Sequence, residues 1–190
     1  MSTRIVGGLA VTLLLVGCAD AGGPSSPARH QGSGAASNGQ LAQASSVPGA
    51  ACHYRQVAGN QTLPDSSCTP GATNPAVTQA DIGSTICVRG WTKTIRPPAS
   101  ETEPQKRKSM RRYGATGSAG DFEFDHLISL ELGGAPDDQR NLWPEPGASP
   151  NAKDGVERAL NQAVCTRRLT LIEAQRRITA DWTTATQGVA

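Results

Sequence analysis

The stretch Phe122-Glu123-Phe124-Asp125-His126-Leu127-Ile128-Ser129-Leu130-Glu131-Leu132-Gly133-Gly134, followed by Asn141-Leu142-Trp143-Pro144, decides how this chain is read. Phe122 and Phe124, then Leu130 and Leu132, alternate with period two, the spacing of a strand with one buried face. The alternation breaks at Asp125-His126, so two short strand pieces are expected around a bend. Gly133-Gly134 and Pro136-Asp137-Asp138 supply the loop. Asn141-Leu142-Trp143 reads as a second short strand, stopped by Pro144 and Pro146 because proline cannot donate to a ladder.

Two helices are expected next. The first starts near Ser149-Pro150, with Ser149 as N-cap and Pro150 at the first helical position. Val156, Leu160, Ala163 and Val164 form its apolar face. The second opens with Thr170 and Glu173, the spacing of a capping box. Leu171, Ala174, Ile178 and Trp182 recur at helical intervals and should pack on the core. Upstream, Thr85-Ile86-Cys87-Val88 is the best strand candidate, with Trp91 packing nearby. Residues 103–113 read as a short helix, with Met110 and Tyr113 on one side and basic residues on the other. Gly114 ends it. Thr69-Pro70-Gly71, Asn74-Pro75 and Arg96-Pro97-Pro98 mark loops.

Asp125-His126, the Gly-Gly loop and Asn141-Leu142, in this order and spacing, resemble the HNH endonuclease motif. In that motif a ββα finger holds one divalent metal against a phosphodiester. Phosphodiester hydrolysis needs an activated water, neutralised phosphate charge and help for the leaving oxygen. The resemblance implies that Asp125 holds the metal, His126 is the general base and Asn141 fixes the loop carrying the histidine. Asn141 stands fifteen residues after His126, which suits a ββ hairpin. Family members usually supply a last His or Asn from the helix to the metal, and no histidine follows His126 here. Asn151 lies near that place, and Asp154 is the harder ligand because it carries charge. Each also has a structural reading, Asn151 as a cap and Asp154 as an acidic residue in the first helical turn. The implied cofactor is Mg²⁺ or Mn²⁺. The motif covers residues 121–157. Asp-His-Leu-Ile, Leu-Gly-Gly, Asn-Leu-Trp-Pro-Glu and Lys153-Asp154 resemble a bacterial subgroup of the family, to which residues 85–98 and the stretch up to Trp182 also look similar.

Other residues near the motif have plainer readings. Glu123 falls on the same strand face as Asp125, either as a second carboxylate or as a solvated side chain. Glu145 either closes the pocket or pairs with a basic residue. Trp91, Trp143 and Trp182 are expected in the core. His30 and His53 have no motif around them.

The rest of the chain bounds where such a domain would work. Arg4 and the apolar run Ile5–Val16 read as a signal peptide over residues 1–17. Leu15-Val16-Gly17-Cys18 resembles the bacterial lipobox, which implies cleavage before Cys18 and its lipidation. An ordinary signal peptide or a short membrane anchor is the alternative. Residues 18–50 are rich in Gly, Ala, Ser, Pro, Gln and Asn, and read as a flexible tether. The domain is placed at 51–185. Besides Cys18, the chain has Cys52, Cys68, Cys87 and Cys165, an even set that predicts two disulfides in an oxidising compartment. Three pairings are open, and Cys165 should tie the helical hairpin to the region before it. The absence of Cys-x-x-Cys spacing argues against structural zinc.

Net charge is only +2, but the distribution is uneven. Lys106, Arg107, Lys108, Arg111 and Arg112 crowd together, and Arg167, Arg168, Arg176 and Arg177 form a second cluster. Such runs neutralise phosphates or are merely solvated helix faces. The expectation is therefore an α+β domain: a ββα-metal finger, a loop-rich disulfide-linked N-terminal part and two C-terminal helices. As a function, it would be a monomeric, lipid-anchored endonuclease of the bacterial envelope, cutting DNA or RNA without sequence preference. The alternative is a catalytically inactive envelope module on the same scaffold that binds nucleic acid, cell wall or protein. A serine hydrolase is disfavoured because no Gly-x-Ser-x-Gly occurs.

Overall fold

The computed structural model describes residues 51–189. The stretches read above as a signal peptide and a tether, with Cys18 between them, lie outside the described residues. The elements run β1 (Arg55–Val57), β2 (Gln61–Leu63), α1 (Trp91–Ile95), α2 (Ala99–Arg112), β3 (Phe122–His126), β4 (Leu142–Pro146), α3 (Ala152–Cys165) and α4 (Leu171–Asp181). The fold is mixed α+β, with β1–β2 and β3–β4 as separate antiparallel two-stranded sheets. No helix among the described residues is long and apolar enough to cross a membrane.

Hairpin β3–β4 followed by α3 is the centre of the domain. Its register pairs Phe122 with Pro146, Phe124 with Pro144 and Asp125 with Trp143. Pro144 does not stop β4 as expected, and the strand runs on to Pro146. The Leu127 amide donates to Asn141 O, and this sets the alternation of the ladder. Positions 143 and 145 are then hydrogen-bonded to β3, while 144 and 146 turn their nitrogens away. A missing N–H costs nothing there. The outward carbonyl of Pro144 accepts from the Tyr54 hydroxyl at 2.8 Å.

Three further expectations are corrected. Leu130 and Leu132 lie in a 3-10 turn, Leu130–Leu132, and not in a strand. Both leucines are buried because the turn packs against α3 and α4, so period two reflected burial all round. Thr85–Val88 is a series of turns after the 3-10 turn Ile82–Ser84, with the Cys87 amide bonded to Ile82 O. Among the described residues no strand pairs with it, and Val88 is exposed. Helix α3 starts at Ala152, two residues after Pro150, because Asn151 and not Ser149 is the N-cap.

Helix α2 begins four residues earlier than expected. Pro98 is extended and its carbonyl accepts from Glu101 and Thr102, opening the helix. It ends as read, before Gly114 (φ 60°). Thr170 caps α4 by accepting from the Glu173 amide.

Two clusters hold the domain together. The larger joins Leu63, Ile82, Ile128, Leu132, Leu160, Val164, Ile178 and Trp182. Chain beyond α4 continues onto it, with Ala185 buried and Val189 packed alongside. The smaller joins Cys52, Cys68, Tyr113, Leu127 and Trp143, with Tyr54 against them. The disulfides are Cys52–Cys68 and Cys87–Cys165. The second ties the end of α3 to the turns before α1, as expected of Cys165.

Candidate active site

The end of β3 carries the two residues singled out in sequence, and alternation sends their side chains to opposite faces. His126 is 7 % exposed. Its Nε2 lies 3.0 Å from Pro136 O. A carbonyl only accepts, so Nε2 carries the proton and the neutral ring keeps its lone pair on Nδ1. Burial pushes the His126 pKa down to about 4, and the positive charges of Arg96 and Lys153 add to this. The ring is therefore neutral and fixed in one tautomer at physiological pH.

Asn141 is fully buried and holds the loop that follows His126. Its Oδ1 accepts from the Ile128 amide at 2.9 Å. Its Nδ2 donates to Ile128 O and Ala135 O, both at 3.0 Å. These contacts are to the backbone, not to the imidazole. Gly133 (φ 71°) and Gly134 make the tight return possible. A Cβ on Gly134 would fall 1.7 Å from Ile128 O.

On the other face, Asp125 Oδ2 accepts from Trp143 Nε1 at 2.9 Å and pairs with Lys153 Nζ at 2.8 Å. Lys153 is 1 % exposed because it stands on the inward face of α3, along with Leu160 and Val164. Its ammonium also meets Glu157 Oε1 at 2.5 Å and His126 O at 2.9 Å. Burial opposes its charge, but Asp125, Glu157 and Glu145 outweigh that and hold it above the usual lysine range. Glu157 is shifted up by burial. Glu145, 4 % exposed, is pushed up to about 9 by burial and by Asp125. Glu145 lies directly across the ladder from Glu123. Asn151 Nδ2 bridges the two, at 3.0 Å to Glu123 and 3.4 Å to Glu145.

The residues named for a metal do not converge. Asp154 Oδ2 accepts from the Asn151 amide, and Asn151 Oδ1 accepts from the Lys153 amide, completing a capping box. Asp125 already faces an ammonium. As arranged, Asp125, Asn151 and Asp154 do not fit a divalent cation. Among the described residues no group of three His, Cys, Asp or Glu side chains is placed to hold one.

The basic helix is coupled to the histidine loop. α2 packs on β4. Gln105 donates to Asp137 at 2.7 Å and accepts from Gln139 at 2.9 Å, next to the Pro136 that fixes His126. Arg107, Lys108 and Arg111 are exposed, and Lys106 and Arg112 half-buried. Arg107 has a loose partner, Glu103, at 3.5 Å. The second cluster is partly neutralised, since Glu173 takes both Arg176 and Arg177. His53 is exposed, and Trp143 and Trp182 are in the core as expected.

Sequence reading missed the roles of Lys153, Glu157 and Arg96. The four-residue spacing of Lys153 and Glu157, on a helix whose inward face includes position 153, was the available signal. No protein-family model matches the chain, and no match is found among curated proteins or solved structures.

Proposed function

We propose that this domain hydrolyses phosphodiester bonds of nucleic acid, with His126 as the general base. The observation that carries the reading is the placement of the His126 ring, locked by the Pro136 carbonyl and joined through the 136–139 loop to a basic helix. In this reading Nδ1 takes a proton from water, whose oxygen attacks phosphorus. The ester P–O bond breaks and the leaving oxygen takes its proton from solvent. Exposed Arg107, Lys108 and Arg111, with Lys106, Arg112 and Arg96, would meet the phosphate charge without reading bases. The β3–β4–α3 order supports an HNH-like finger, and the two disulfides support work outside the cytoplasm. Anchoring through Cys18 belongs to the same proposal.

A second reading, a binding module without hydrolysis, is favoured by one feature. The charge of Asp125 is already answered by Lys153. Incubating the disulfide-intact protein and His126→Ala with plasmid DNA and with RNA, in Mg²⁺, Mn²⁺ or chelator, separates the two. Cleavage lost in His126→Ala supports the hydrolase. Binding by a folded protein that cuts neither substrate supports the module.

A further inference from the structure

Lys153 has surroundings that a lysine seldom has. Three oxygens converge on its ammonium: Asp125 Oδ2 at 2.8 Å, Glu157 Oε1 at 2.5 Å and His126 O at 2.9 Å. Two come from the end of β3 and one from α3, so the contact ties strand to helix. Two carboxylates and a carbonyl are the donors that hard divalent cations take, at about 2.3–2.6 Å for Ca²⁺. A buried ion pair is a poor device for stability alone, since apolar residues of similar volume do as well. The backbone contact adds something an apolar residue would lack. It pins the carbonyl of His126, and so the strand end from which the imidazole projects.

We propose that the Lys153 ammonium is a resident cation standing where a divalent ion would otherwise be needed, so that the end of β3 is set without metal. Lys153 is then a positioning residue, acting on His126 through its carbonyl. The inference goes beyond the hydrolase reading and does not require it. It implies a latent cation site. Truncating Lys153 to Ala leaves three oxygens around a hole, whereas Met, only one atom shorter than lysine, fills most of the hole and supplies no charge.

The test compares the full chain with Lys153→Ala and Lys153→Met, by thermal unfolding in chelator and in millimolar Ca²⁺ or Mn²⁺. Mn²⁺ binding is read separately by electron paramagnetic resonance. The wild type should unfold at the same temperature in every condition and bind no Mn²⁺ stoichiometrically. Both variants should unfold about 10 °C or more lower, since a buried charge loses its partner. Only Lys153→Ala should recover part of that loss with cation and show stoichiometric Mn²⁺. Adding Glu157→Gln should remove the recovery. Chelator-sensitive stability or stoichiometric Mn²⁺ in the wild type overturns the proposal. So does an identical cation response in the two variants. If Lys153→Ala fails to fold, the wild-type measurements still decide. None of these readouts depends on cleavage. A chain that cuts nothing but behaves as predicted refutes the hydrolase reading alone, and cleavage that requires added metal refutes the resident cation alone.

Discussion

Replacing Asn141 by Ala should cost about 3–5 kcal/mol, a large share of the 5–15 kcal/mol typical of a folded domain. Asn141 is fully buried, and its amide satisfies the Ile128 amide, Ile128 O and Ala135 O, with a longer contact to the Ala72 amide. Truncation leaves three buried backbone groups without that partner, each costing about 1–3 kcal/mol. Water entering the vacated space returns part of this. Urea unfolding of the disulfide-intact protein measures the loss as a midpoint lower by roughly 1–3 M with unchanged slope. Asn141→Asp should be at least as damaging, because it aims a carboxylate at two carbonyls that now receive N–H donors. A loss below about 1 kcal/mol for Asn141→Ala would refute the claim that this side chain holds the loop after His126.

Three other outcomes follow from the same structure. Removing Cys87–Cys165, which closes a separation of 78 residues, should cost about 4.5 kcal/mol, against about 3 kcal/mol for Cys52–Cys68 with its separation of 16; paired Cys→Ala variants measured by urea unfolding check the order. Glu145 has its folded pKa raised from 4.5 to about 9, so the folded state binds the extra proton; its contribution is full below pH 4.5 and is lost as pH rises towards 9. His126 works oppositely, from 6.5 down to about 4, so the two slopes offset each other between pH 4.5 and 6.5. Stability should therefore fall from pH 6.5 to 9, and Glu145→Gln should flatten that fall in unfolding curves taken across the range. Lys108→Glu with Arg111→Glu should weaken duplex DNA binding by about tenfold at low salt and reduce the salt slope by about 1–2, read by fluorescence anisotropy; an unchanged slope would leave α2 as a solvated face.

The hairpin and the two C-terminal helices were legible because each rests on local chemistry, whereas the loop-holding role of Asn141 came from the motif resemblance. Thr170 and Gly114 announce helix ends. The Leu130–Leu132 turn was not legible, since full burial of a turn leaves the same apolar spacing as a strand. Thr85–Val88 has strand-like residues, but a strand needs a neighbour, and here the turn geometry around the Cys87–Cys165 bridge decides. The passage of β4 through Pro144 was not legible, because the ladder parity that makes this proline harmless comes from the Leu127–Asn141 contact. Asp125 and His126 were found by motif. Lys153 was seen only as part of a signature, because its burial depends on how α3 docks on the end of β3.

The most direct measurement is plasmid DNA and RNA cleavage by the disulfide-intact protein beside His126→Ala, with chelator and divalent-metal arms. The account predicts cleavage by the wild type, including in chelator, and its loss in a folded His126→Ala. Intact substrate after incubation with the folded wild type, or equal cleavage by His126→Ala, would contradict it.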